Sequence, residues 1–331
     1  MAGRGTVLVV GGAGYIGSHT VKQLAHAGYE TVALDNLVYG HRDAVVAGKF
    51  EEGDASDLPF LRGVFSRHHI DAVMHFGAFT YVGESVTDPA KYYENNVVAT
   101  LTLLKAMREA HVDKLVFSST CAIYGEPERL PLTEDHPTRP LSPYGRTKWM
   151  IEQILQDYDR AYGLRSICFR YFNAAGADPD GDIGERHDPE SHLIPLVFEA
   201  IRTGKPISVF GDDYATPDGT CVRDYIHVVD LARAHLLGLE QLLAGRGSGA
   251  YNLGNGQGYS VREVLTAIER VSGKKVPYRM APRRPGDPAV LIGSAQKAIT
   301  ELGWRPSFAQ LERIVETAWR FHCGRLPVKK G

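Results

Sequence analysis

Tyr144-Gly145-Arg146-Thr147-Lys148 sets a phenol and an ammonium four residues apart at the start of a helical stretch, so both side chains share one face. A phenol of ordinary pKa, about 10, acts as a base near neutrality only where positive charge stabilises its phenolate, and Lys148 can supply such charge. An ordinary surface pair would have the same spacing. Ser118-Ser119-Thr120, which ends an apolar β-rich run, separates the two readings. There the Thr120 hydroxyl can donate to a substrate hydroxyl or a developing oxyanion, although without the Tyr and Lys it would read as a turn or cap residue.

A second constellation is Gly11-Gly12-Ala13-Gly14-Tyr15-Ile16-Gly17, directly after the first apolar run. It satisfies G-x-G-x-x-G, in which glycines allow a tight turn and close backbone approach to a pyrophosphate held at the start of the next helix. Asp35 closes the second run 18 residues after Gly17. A carboxylate there accepts from the adenosine ribose and repels a 2′-phosphate, which favours NAD over NADP. Asp54, after the third run, can reach the adenine or simply be solvated. An oxidised nicotinamide would add its positive charge to that of Lys148 beside Tyr144.

These residues need a frame that gathers the ends of several strands. Strands are expected at Thr6–Val10, Glu30–Leu34, Phe50–Gly53, Ala72–Phe76, Lys114–Ser118 and Arg165–Arg170. Helices are expected at Tyr15–His26, Asp57–His69, Lys91–Ala110 and Pro143–Tyr162. The alternation implies an α/β fold with a doubly wound parallel (Rossmann-type) sheet, ligands lying beyond its carboxyl edge. Past Asn173 the chain turns to Gly- and Pro-rich segments with helices near 193–203, 228–243, 260–272 and 307–322, the pattern of a smaller C-terminal α/β domain. The expected division is 1–174 plus 228–252 for the NAD-binding domain, and 175–227 plus 253–331 for the substrate domain.

At 331 residues, with 44% hydrophobic and 23% charged residues, the chain has the size of about two ordinary globular domains. A net charge of -2 offers no broad field for nucleic acid or anionic lipid, so an anionic ligand must meet a local cluster. Cys121, Cys168, Cys221 and Cys323 lie far apart without a C-x-x-C pair; they read as reduced thiols, with no metal site expected. The absence of a long apolar run and of a leader-like start makes a cytoplasmic location the expectation.

With these pieces in place, the sequence resembles the extended short-chain dehydrogenases/reductases, and within them the 4-epimerases of UDP-sugars, from about Thr6 to Trp319. The resemblance is carried by Gly11–His19, Leu34-Asp35-Asn36-Leu37, Val82-Gly83-Glu84-Ser85, Tyr92-Tyr93-Glu94-Asn95-Asn96, Ser142-Pro143-Tyr144-Gly145, Arg170-Tyr171-Phe172-Asn173, Val222-Arg223-Asp224-Tyr225-Ile226-His227-Val228 and Arg283-Arg284-Pro285-Gly286-Asp287. It implies NAD-dependent interconversion of sugars such as UDP-glucose and UDP-galactose through a 4-keto intermediate, with Tyr144 as acid/base, Lys148 on the nicotinamide ribose and Thr120 beside the sugar. It further implies NAD contacts from Gly11, Gly14, Tyr15, Ile16, Gly17, Asp35, Asn36, Asp54, Phe76, Gly77, Ala78, Asn95 and Tyr171. The UDP-sugar would be held by Asn173, His192, Leu193, Ser208, Phe210, Arg223, Arg284, Asp287 and Leu291. Guanidinium forks suit a diphosphate, in keeping with the need for local cations.

A homodimer through the helices at Lys91–Ala110 and Pro143–Tyr162 is also implied, with Leu103, Met107, Ile151 and Leu155 as outward apolar positions, although packing inside the chain's own core would explain them equally well. Departures from the family pattern are Val10 before the first glycine, Thr80, His192 and, beside the sugar 2-position, Leu291. Cys121 and Ala122 stand where dehydratase relatives carry an Asp-Glu pair, which leaves elimination without an agent. An epimerase for a UDP-N-acetylhexosamine or a UDP-pentose, and a non-catalytic NAD-binding regulatory protein, are the alternatives.

Overall fold

The computed structural model describes residues 4–284 and 287–324; Pro285 and Gly286 of the Arg283–Asp287 motif, and both ends of the expected domain ranges, lie outside the described residues. The strands are β1 (Thr6–Val10), β2 (Glu30–Asp35), β3 (Lys49–Glu52), β4 (Ala72–His75), β5 (Lys114–Ser118), β6 (Arg165–Tyr171), β7 (Asn173–Ala175), β8 (Ile207–Phe210), β9 (Val222–His227), β10 (Gly249–Leu253), β11 (Gly258–Ser260), β12 (Tyr278–Ala281) and β13 (Val290–Leu291). The helices are α1 (Tyr15–His26), α2 (Leu58–His68), α3 (Val82–Thr87), α4 (Pro89–Tyr92), α5 (Ala99–Glu109), α6 (Pro143–Tyr162), α7 (Leu193–Thr203), α8 (Val228–Leu243), α9 (Val261–Ser272), α10 (Gln296–Leu302) and α11 (Leu311–Gly324).

Seven strands pair in parallel in the order β10-β6-β5-β4-β1-β2-β3. Apolar strands such as Thr6-Val-Leu-Val-Val10 are buried on both faces because helices cover both faces of a parallel sheet. One side packs α1 and α8 through Val21, Leu24, Leu231 and Leu239; the other packs α2, α5 and α6 through Leu61, Leu103, Met107 and Ile151. Strand order reverses at β1, which lies between β2 and β4, so a crevice opens beyond the carboxyl ends of β1 and β4.

Two expectations are corrected. The helix expected over Lys91–Ala110 is broken into α4, a π-helical segment Tyr93–Val98 and α5. Its extra residue per turn accommodates Asn96, whose buried amide accepts from Phe79 N at 2.8 Å and donates to Phe79 O at 3.0 Å and to the Thr147 hydroxyl at 3.1 Å. Leu103, Met107, Ile151 and Leu155 do not face outward: each is at most 1% exposed, inside the core between helices and sheet. A helical apolar stripe shows that a face is buried, and here the chain's own sheet buries it. Apolar residues of this region that do face outward include Val98, Leu101, Met150 and Tyr162.

Past β6 the chain builds a second core, where β9 pairs with β7, β11 and β13, β8 pairs with β12, and α7, α9 and α11 pack together. Ser260 and Glu263 form a reciprocal capping box at the start of α9. The Gly249–Leu253 strand returns to the large sheet, and Ala295, Ala298 and Trp304 pack into that sheet's core as well. No helix among the described residues is long and apolar enough to cross a membrane.

Candidate active site

A cleft of about 440 Å³ lies at the switch point of the large sheet. Its floor is the loop between β1 and α1. A Cβ on Gly17 would lie 2.0 Å from Gly11 O, and one on Gly11, at φ +78°, 2.5 Å from Gly77 N, so only glycine lets these backbones meet. Helix α1 starts at Gly14 without a side-chain cap, leaving its first N–H groups to an anion in the cleft. Asp35 ends β2 buried, its carboxylate accepting from Ala13 N at 3.0 Å and Leu37 N at 2.9 Å; burial raises its pKa while those amides oppose the rise. Asn36 donates to Asp54 at 2.8 Å, closing this end of the cleft.

The opposite end gathers the acid/base candidates. Ser142 caps α6, accepting from Gly145 N at 3.1 Å, and Pro143 opens the helix where its missing N–H costs nothing. Tyr144 is thereby fixed at the helix mouth, 9% exposed. Burial pushes its phenol up to about 12, opposed by a hydrogen bond from Thr120. Thr120 Oγ1 accepts from Ala122 N at 3.2 Å, which leaves its own O–H free to donate. One turn on, Lys148 is 2% exposed and donates to Ser118 O at 2.7 Å; burial pushes its ammonium down to about 7. The ammonium thus sits against β5, between the Ser118 carbonyl and the Phe117 ring, 4.9 Å from that ring's centroid.

Sequence reasoning missed the support under Thr120. The Ser119 hydroxyl donates to Glu152, which pairs with Arg170 at 2.6 Å, both ions almost wholly buried. Arg170 in turn donates to the Tyr124 hydroxyl at 3.0 Å, which donates to Asn252 Oδ1 at 2.6 Å. The legible sign was Arg170, a charge inside the otherwise apolar β6 run Ser-Ile-Cys-Phe, and Glu152 one turn from Lys148 on α6.

The cleft brings together Gly11, Gly14, Tyr15, Ile16, Gly17, Asp35, Asn36, Asp54, Phe76, Gly77, Ala78, Asn95, Thr120, Tyr144, Tyr171, Asn173, His192 and Leu291. Tyr15 spends its hydroxyl on Gly176 O at 2.6 Å. Leu291 also packs against a small cluster containing Phe172 and Cys121. Outside the cleft lining stand Lys148, Leu193, Ser208, Phe210, Arg223, Arg284 and Asp287. Arg223 pairs with Asp287, Arg284 stacks 4.1 Å over the Phe210 ring, and Leu193 begins α7. Ser208 lies on β8, its hydroxyl 3.4 Å from Arg279 Nε.

The segment between β7 and α7 also borders the cleft. Burial alone would raise the Glu185 carboxyl, yet the His192 and His187 imidazoles outweigh it and hold it at about 2. Nothing in the motif reading pointed to His187, although Glu185-x-His187-x-x-Glu190-x-His192 was a legible spacing.

Residues 7–254 match the NAD dependent epimerase/dehydratase family. The chain belongs to that family. The parallel seven-stranded sheet is the fold that the resemblance implied. A UDP-glucose 4-epimerase of Halalkalibacterium halodurans is 54% identical over 96% of this chain and 95% of its own. The crystal structure of UDP-glucose 4-epimerase from Brucella ovis in complex with NAD superposes with a TM-score of 0.94 at 51% identity, covering 96% of this chain and 98% of that one. That from Bifidobacterium longum in complex with NAD⁺ and UDP gives 0.91 at 40% identity, covering 97% and 98%.

Proposed function

We propose that this chain is an NAD-dependent UDP-sugar 4-epimerase that interconverts UDP-glucose and UDP-galactose. The observation that carries this is the joining, in one cleft, of a glycine-built anion cradle with Asp35 at one end and the Thr120–Tyr144 pair at the other. The uncapped α1 terminus suits a pyrophosphate and the Asp35 oxygens suit a ribose diol, so the residues present fit NAD. Gly11–Gly17, Asp35, Asn36, Asp54, Phe76–Ala78, Asn95, Tyr171 and Lys148 would hold it. When bound, it supplies an acceptor and later a donor of hydride for the sugar C4 position.

Tyr144 Oη takes the proton from the sugar 4-hydroxyl, and the same oxygen returns it to the 4-keto sugar after the ring has turned. Thr120 Oγ1 donates to the sugar O4 and keeps it beside Tyr144. Lys148, tied to Ser118 O, would hold the nicotinamide ribose and set its positive charge near Tyr144. Turning requires a loosely held hexose and a firmly held nucleotide. Arg223, Arg284, Asn173, Leu193, Ser208 and Phe210 supply that grip, with Asp287 orienting Arg223 and the His192 backbone continuing the wall.

The sequence division supports the same reading: 1–174 plus 228–252 holds the dinucleotide and 175–227 plus 253–331 the UDP-sugar, with Ala295–Trp304 packing back onto the first unit. The chain acts as a cytoplasmic homodimer, joined through the exposed apolar residues Val98, Leu101 and Met150 on and beside α5 and α6. A concentration-independent monomer mass rejects the dimer. Incubation of purified protein with UDP-galactose tests the activity: UDP-glucose must appear, and bound NAD without conversion would favour a regulatory binding role.

A further inference from the structure

The segment that crosses from the cofactor side of the cleft to α7 carries Glu185, His187, Glu190 and His192, one nitrogen or oxygen of each lying within 4.8 Å of all the others. His187 Nδ1 is 3.2 Å from Glu185 Oε1 and 3.6 Å from Glu190 Oε1. It meets neither in hydrogen-bond geometry and is sealed from water. The two His187 separations lie near the edge of about 3.3 Å expected for a tetrahedron whose ligands stand about 2.0–2.1 Å from its centre. His192 Nδ1 is hydrogen-bonded to Glu185 Oε1, and Glu190 Oε1 accepts from Ser191 N at 2.7 Å and His192 N at 2.9 Å, so an ion would have to part the first pair and share the second oxygen. The His187 and His192 rings are perpendicular, at 89° with centroids 5.3 Å apart, so two imidazoles approach one point from different planes.

We infer that Glu185, His187, Glu190 and His192 form a four-ligand site for a divalent transition-metal ion of the zinc class. Two imidazoles with two carboxylates suit such an ion, whereas calcium and magnesium favour six or more oxygens, water included. The two carboxylates cancel its charge, and four protein ligands make it a structural site rather than a catalytic one.

Its position gives it a task. The segment is stitched to the cofactor side by Tyr81 Oη donating to Pro189 O at 2.7 Å, by the His41 ring 3.2 Å from Arg186 O and by Arg186 pairing with Asp43 at 2.6 Å. Its other end, His192, is the residue that precedes α7 of the second core. An ion would fix this strap along the cleft rim, where His187 and His192 are both wall residues. It would also draw the His192 imidazole away from the nucleotide, leaving the backbone there.

Tag-free protein, dialysed against a strong chelator and then against buffer, is titrated with cobalt(II) and, separately, zinc. The expected result is one ion per chain by elemental analysis, intense visible bands of four-coordinate cobalt, and a rise in melting temperature with zinc. His187→Gln and His192→Gln should each weaken binding at least about 100-fold and abolish the thermal shift, while His111→Gln, at an exposed remote histidine, changes neither. Circular dichroism checks folding, and the milder Glu190→Gln, expected to weaken cobalt binding at least about tenfold, stands in if a histidine variant unfolds. Absence of stoichiometric binding, the weak bands of six-coordinate cobalt, or binding that survives all three variants overturns the site.

Discussion

Tyr144→Phe removes one oxygen from a ring that is already 9% exposed and tightly packed, so its effects on chemistry and on folding can be separated. On the folding side, the structure shows one hydrogen-bonding hydroxyl, that of Thr120, acting on the phenol. Its loss is worth about 1 kcal/mol, a melting shift of only about 2–4 °C in a chain of this size. On the chemical side, a phenol at about 12 is ionised in only roughly one molecule in 10,000 at pH 8, so the site holds the proton until further positive charge arrives. Deleting that proton carrier should lower turnover at least about 100-fold with little change in NAD content. Turnover is read by coupling UDP-glucose formation to its dehydrogenase, and NAD by absorbance after denaturation. A near-normal rate refutes Tyr144 as the acid/base; a lost rate with lost NAD shows that it serves binding instead.

Lys148→Met probes the buried ammonium. Its pKa falls from 10.5 to about 7 on folding, so between those values the unfolded chain holds a proton that the folded chain sheds, and stability rises with pH across the window. By about 1.4 kcal/mol per unit the rise totals roughly 4–5 kcal/mol in nucleotide-free protein, and denaturant titrations from pH 7 to 10.5 should find that slope flattened in the variant. An equal slope in both proteins refutes it. Gly17→Ala drives a Cβ to 2.0 Å from Gly11 O, and the forced backbone shift should cost about 1–3 kcal/mol in denaturant midpoint and most of the bound NAD. Retained NAD would show that the cradle is not formed by this approach. Leu291 lines the cleft yet also packs against the Cys121–Phe172 cluster, so Leu291→Ser should raise a weak activity on N-acetylated UDP-sugars relative to UDP-galactose; lower thermal stability with an unchanged ratio would assign it to packing alone.

The dinucleotide half was readable because its signals are local. Ser142, Pro143 and Gly163 bracket α6 by capping chemistry, and the glycine loop lies where a strand must turn into a helix. What stayed hidden was relational. Periodicity showed that Leu103 and Ile151 face something apolar but not that it is their own sheet, and no local rule anticipates the π turn that seats Asn96. The route of Lys148 to Ser118 O depends on how α6 lies across β5. Glu185, His187, Glu190 and His192 stand within eight positions of one another in the chain, but their convergence depends on the fold of the segment between β7 and α7.

In the proposed reaction the sugar C4 hydrogen leaves and returns inside one closed site. UDP-galactose carrying deuterium at C4, incubated with the enzyme in ordinary water, tests this most directly by mass and proton spectra of the UDP-glucose formed. Deuterium retained at C4 of the product is the predicted result. Deuterium lost to water, or no UDP-glucose at all, contradicts it.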